Sequence, residues 1–143
     1  HRVVLCRVLE PQQKVKARYA VGKQVNPLLK SFQFPLSEAS GVFGRAISTG
    51  QNTLVGDVAA HAIMEPMPDW YRQRVAGNCF AILPFQSAGK TQGFIYIDHP
   101  QVHYLDHLSP PQHALLSTLR DLCAEAYRRR HQQMRDAARA RRA

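Results

Sequence analysis

The sequence predicts an α+β domain in which an antiparallel sheet is covered by helices on both faces. Two pairs of strand-like segments carry the sheet: Arg2–Leu9 with Lys14–Val21, and Asn78–Phe85 with Thr91–Asp98. The third segment, NCFAILPF, is apolar at nearly every position, and a strand apolar on both sides must be covered on both sides. Helical spacing with start and stop signals then appears between the two pairs and again after the second.

Taken in order, VVLCRVL is a short run rich in β-branched residues, and Glu10-Pro11-Gln12-Gln13 is a turn. Lys14–Val21 alternates, with Val15, Ala17, Tyr19 and Val21 expected on one face and Lys14, Lys16, Arg18 and Ala20 on the other. Val25, Leu28 and Leu29 suggest a helical turn around Pro27, and Phe32, Phe34 and Leu36 suggest an extended segment. Ser40 is placed to cap a helix whose apolar face is Val42, Phe43, Ala46 and Ile47, and Gly50 to end it in a left-handed residue. Leu54 and Val55 follow as a short strand before Gly56 and Asp57. Pro68 or Asp69 starts a short helix through Trp70, Tyr71 and Val75, closed by Gly77.

Ser87-Ala88-Gly89-Lys90 turns the second hairpin, and residues 99–107 read as a polar loop. Ser109-Pro110-Pro111-Gln112 opens the last helix with a serine cap, proline in the first turn and a capping-box glutamine. Its buried stripe is expected at Leu115, Leu119, Leu122 and Ala126 with Leu116, Cys123 and Tyr127 beside them. The helix is expected to run to about Arg141 and to overhang the domain.

The 143 residues fit one domain, and 45% hydrophobic content supports a real core. The net charge of +9 is uneven: residues 128–143 hold seven arginines and one aspartate. The body is thus mildly basic and the tail strongly so. No apolar run approaches the roughly 20 residues of a membrane span, and no secretion signal is visible, so a cytoplasmic setting is expected. The chain opens on strand-like residues without a Met and reads as a piece of a longer protein. Cys6, Cys79 and Cys123 match neither a disulfide framework nor a zinc pattern, and buried thiols are expected.

Three blocks in order resemble the GAF domain: GRAISTGQNTLVGD, CFAILPFQSAGKTQGFIYID, and the helix from LSPPQHALL. The matching positions are Gly44, Ala46, Thr49, Gly50 and Asp57, then Leu83-Pro84-Phe85, Gly89, and Gly93 through Asp98. The resemblance implies a GAF/PAS-like α+β fold. A central antiparallel sheet of five or six strands would carry terminal helices on one face, with short helices and loops over a pocket on the other. It assigns residues 1–127 to the domain, lacking the usual N-terminal helix, and 128–143 to a basic helical extension or tail. It further implies a non-catalytic regulatory role in bacterial signal transduction. Such a domain senses an unidentified small molecule, forms a homodimer through its terminal helices, or does both. Its neighbour would be an upstream signalling domain, the HDOD type among them.

Within that frame Phe34, Phe43, Val55, Trp70, Tyr71, Cys79, Ala81, Leu83 and Ile95 are candidate pocket walls, with Arg45 and Asp57 as polar groups to orient a ligand. The same aromatic residues also read as plain core filling. The cyclic-nucleotide signature of the family and the Cys-His pair of its bilin binders are both missing, so no cofactor is identified. Some GAF-like proteins reduce free methionine sulfoxide, and Cys79 is the candidate thiol for that alternative. His99, His103 and His107 lack a matching ligand set, so no metal site is expected. The arginine tail is a solvated extension toward a partner, a nucleic-acid contact or a frayed end; it lacks the interleaved aromatics that stack on single strands.

Overall fold

The computed structural model describes residues 1–143 and begins with the expected hairpin, β1 (Arg2–Leu9) and β2 (Lys14–Gly22) around a 3-10 turn at Glu10–Gln12. There follow α1 (Val25–Ser31), β3 (Gln33–Pro35), α2 (Gly41–Thr49), β4 (Thr53–Val55), α3 (Val58–Met64) and α4 (Asp69–Arg74). The second hairpin is β5 (Cys79–Ser87) and β6 (Lys90–His99), and α5 (Pro110–Arg142) ends the chain. All six strands join one antiparallel sheet in the order β3-β2-β1-β6-β5-β4. Non-local pairing of β1 with β6 ties the two hairpins together: Val4 lies opposite Tyr96 and Cys6 opposite Phe94.

Strand alternation sorts the side chains onto two faces. Val4, Cys6, Phe80, Ile82, Phe94 and Tyr96 point to the main core beneath the short helices α1 to α4. Cys79, Leu83, Ile95 and Ile97 point the other way, into a smaller core with Leu105, Leu116 and Cys123. Leu105 belongs to a 3-10 turn at Tyr104–His107, so the stretch expected to be a polar loop contributes one buried anchor.

Two expected faces are corrected. In β2 the register slips: Cys6 pairs with Ala17 but Leu5 with Tyr19, leaving Arg18 as the extra residue of a bulge. Val15 and Ala17 are buried, whereas Tyr19 and Val21 turn to the opposite face and are 70% and 72% exposed. In α5 the inner arc is Leu116, Arg120, Cys123, Ala124 and Tyr127, each half-buried against the sheet. Leu115, Leu119 and Leu122, expected in the buried stripe, are 67%, 39% and 60% exposed, and Ala126 is exposed with them. A single helix laid on a sheet face hides only the arc that touches it, so a broad apolar face keeps one side in solvent.

Both ends of α2 bear on the helix signals. Gly50 ends it at φ +68 with its N–H bonded to the Ala46 carbonyl, as the sequence predicts. Ser40 occupies the cap position, yet its hydroxyl accepts no first-turn N–H. The chain enters through Gly41 in the left-handed region, so the first turn lacks the regular geometry a serine cap requires. At α5 the capping box does form: Ser109 Oγ accepts from the Gln112 N–H, and the Gln112 side chain accepts from the Ser109 N–H at 2.7 Å. The helix is continuous past residue 127 and, at 33 residues, is about 50 Å long. No helix is long and apolar enough to cross a membrane.

Candidate functional site

The space between the sheet and the short helices is filled by aromatic rings. Phe34 stacks on Trp70 at 4.0 Å between centroids and 10° between planes. Phe43 meets Trp70 edge-on at 4.9 Å and stacks on Phe80 at 5.5 Å. Phe32 reaches Tyr96 at 5.0 Å and Trp70 at 5.5 Å. Every one of these rings is buried, and offset and edge-on pairs of this kind add to plain area burial. The indole N–H of Trp70 donates to the Glu38 carbonyl at 3.4 Å, so its one polar atom is also engaged.

Five of the sequence-predicted wall residues meet here: Phe34, Phe43, Val55, Trp70 and Tyr71. Cys79, Ala81, Leu83 and Ile95 do not join them, because these positions of β5 and β6 face α5. The two polar candidates are engaged elsewhere. Arg45 makes a two-pronged ion pair with Glu65, at 2.7 and 2.8 Å, on the surface. Asp57 caps α3 by accepting the Ala60 N–H at 3.1 Å.

At one end of the ring cluster lies a buried polar chain that sequence reasoning did not assemble. Tyr71 and Tyr96 hydroxyls are 3.0 Å apart, and Tyr96 donates to Asp98 Oδ2 at 2.9 Å. Arg2 Nε lies 2.9 Å from Asp98 Oδ1 and 3.0 Å from Oδ2, and its Nη2 donates to Asp98 and to the Val75 carbonyl. Burial raises the pKa of both tyrosines, while the hydrogen bond to Asp98 raises that of Arg2. Gly77 closes the chain of contacts: a Cβ there would come within 2.7 Å of Tyr96 Oη and 2.8 Å of Tyr71 Oη. The signal available in the sequence was Asp98 at the end of an apolar strand, since a buried acid requires a partner.

By sequence, no protein-family model and no curated protein matches the chain. By structure, it is similar to the GAF domain of a phosphoenolpyruvate-protein phosphotransferase from Acinetobacter. The TM-score is 0.69 at 16% identity, over 91% of this chain and 72% of that one. It is also similar to the second GAF domain of DevS from Mycobacterium smegmatis, with TM-score 0.63 at 12% identity over 94% and 84%. This chain has the GAF fold. A free methionine-R-sulfoxide reductase from Neisseria meningitidis, in complex with its substrate, shares the fold at TM-score 0.62 and 20% identity over 90% and 69%.

The cysteines of this GAF-fold chain bear on that last likeness. Cys6 is fully buried, and burial pushes its thiol pKa well up. Cys79 is fully buried on the α5 face, its Sγ 3.2 Å from the Gln101 carbonyl and 3.6 Å from that of His99. Cys123 lies half-buried on the sheet-facing arc of α5, and burial raises its pKa as well. Thiolates that attack a substrate need exposure and nearby positive charge that stabilise the anion.

Proposed function

We propose that this GAF-fold domain is a non-catalytic regulatory module that pairs through its terminal helix and relays its state along that helix to a neighbouring domain. One observation carries the reading: the outward row Leu115, Leu119 and Leu122 on α5. Its spacing of four and three is that of a helix-pairing seam. Beyond residue 127 the helix is solvated and basic, which suits an arm between domains. Regulation needs a state-dependent difference in binding energy, and a helix held by a thin second core is an element that can move.

The packed rings support a reading of Phe34, Phe43, Val55, Trp70 and Tyr71 as core, since a ligand on this face must displace a ring to enter. The alternative, sulfoxide reduction, rests on the fold shared with the Neisseria enzyme, and the buried thiols speak against it. Sedimentation velocity over a range of concentrations tests the proposal, with a Leu119→Asp/Leu122→Asp variant beside the native sequence. Self-association that the variant loses, with unchanged circular dichroism, is the expected result. A native chain that stays monomeric at high concentration overturns it.

A further inference from the structure

Past Tyr127, α5 carries seven arginines, no lysine and one acid, Asp136. Every residue from 128 to 143 is exposed, and the helix is continuous to Arg142. Arg128, Arg135, Arg139 and Arg142 follow one another at spacings of seven, four and three. At 3.6 residues per turn they fall within about 60° of one helix face, in a row about 20 Å long.

The sheet fixes which way this row points. Cys123, Ala126, Tyr127, Arg130 and Met134 line the flank of α5 toward β1 and β2. Arg120, Ala124 and Arg128 line the opposite flank, toward Pro84 and Gln86 of β5. The row continues that second flank beyond the sheet. A further helix laid on β1 and β2 beside α5 meets the first flank and leaves the row clear.

Counter-charges are few. Glu125 pairs with Arg128 and Arg129 at 2.8 Å, and Asp136 accepts from the Gln132 amide at 2.9 Å. Arg135, Arg139 and Arg142 sit in no ion pair. Like charges three and four residues apart on a helix repel. The helix dipole favours basic residues in the last turn, where Arg139, Arg141 and Arg142 lie, but not the alignment with Arg135 and Arg128. A polyanion turns the repulsion along the row into attraction.

The row also selects among polyanions. Guanidiniums grip phosphate oxygens through paired N–H donors. Met134 is the one large apolar side chain past Tyr127, too little to sink into a lipid surface or to centre a protein interface. No Phe, Tyr or Trp follows Tyr127 to stack on unpaired bases. A lone helix does fit the major groove of a B-form duplex. We propose that the arginine row binds the phosphate backbone of double-stranded DNA without reading its sequence, the arm lying along the major groove. The row is intact whether or not α5 pairs through Leu119 and Leu122, so this proposal and the regulatory reading fail separately.

The test is fluorescence anisotropy of the chain with a labelled mixed-sequence duplex of about 20 base pairs, repeated across salt concentrations. Log affinity should fall against log salt with a slope of about −3 to −4, at near −0.9 for each phosphate neutralised. Arg135→Gln/Arg139→Gln should lessen that slope by about two and weaken binding at low salt by roughly tenfold or more. Arg130→Gln/Arg141→Gln removes equal charge from the other flank and should change the slope far less. Absence of binding at low salt overturns the proposal, as do equal losses from the two pairs of substitutions. Polyglutamate, single-stranded DNA or phosphatidylserine vesicles that compete as well as unlabelled duplex overturn it too.

Discussion

Arg2 and Asp98, 96 positions apart in sequence, form a side-on ion pair in which one guanidinium nitrogen touches both carboxylate oxygens, at 2.9 and 3.0 Å. The pair links the start of β1 to the end of β6, at the register position where those residues lie opposite each other. Asp98 is only 1% exposed, whereas part of Arg2 still reaches solvent. That asymmetry gives a direction. Arg2→Met leaves a buried carboxylate with one tyrosine hydroxyl and should cost about 2–4 kcal/mol in urea unfolding. Asp98→Asn leaves a guanidinium that water can reach and should cost less. Equal losses from the two substitutions would contradict the asymmetry.

The Tyr71 and Tyr96 hydroxyls make folding sensitive to alkali. Burial raises both pKa values above the usual tyrosine range, so the folded state keeps protons that the unfolded state releases. Their contribution is therefore complete below a pH of about 10, the unfolded value, and declines as pH rises from there toward the folded values. Thermal melts should hold steady with respect to these groups up to that point and fall above it. Tyr71→Phe, which removes one titrating hydroxyl at the end of the chain of hydrogen bonds, should flatten the alkaline fall. A native-like alkaline slope in that variant would assign the sensitivity elsewhere.

Local signals in the sequence were legible where a few neighbouring residues decide the outcome. The Ser109–Gln112 capping box and the Gly50 helix end each depend on one turn of chain. Both hairpins followed from alternation and turn residues, and with the motif order they led to the right fold. Faces were harder. β5 is apolar at successive positions, so nothing in CFAILPF says that Phe80 and Ile82 face the rings while Cys79, Ala81 and Leu83 face α5. The bulge at Arg18 depends on where β1 pairs, and it moved Tyr19 and Val21 to the other side. The sheet-facing arc of α5 depends on how that helix lies, and it left Leu115 outside. The Arg2–Asp98–Tyr96–Tyr71 chain joins residues from three separate elements, and only the assembled sheet brings them together.

Trp70 decides between packed core and ligand pocket on the helical face. Its ring touches Phe32, Phe34, Phe43 and Tyr71, and it is 4% exposed. Trp70→Ala removes the largest of these rings and should cost about 3–5 kcal/mol by urea unfolding, the usual range for deleting a buried aromatic side chain. Apolar cavities made in this way stay dry and accept apolar guests. Indole should therefore raise the melting temperature of the variant and leave that of the native chain unchanged. An indole-dependent rise in the native chain would mean that the rings part readily, and the face would then be a ligand pocket. The same titration on Phe43→Ala, whose ring stacks on Phe80, checks that the rescue follows the shape of the missing side chain.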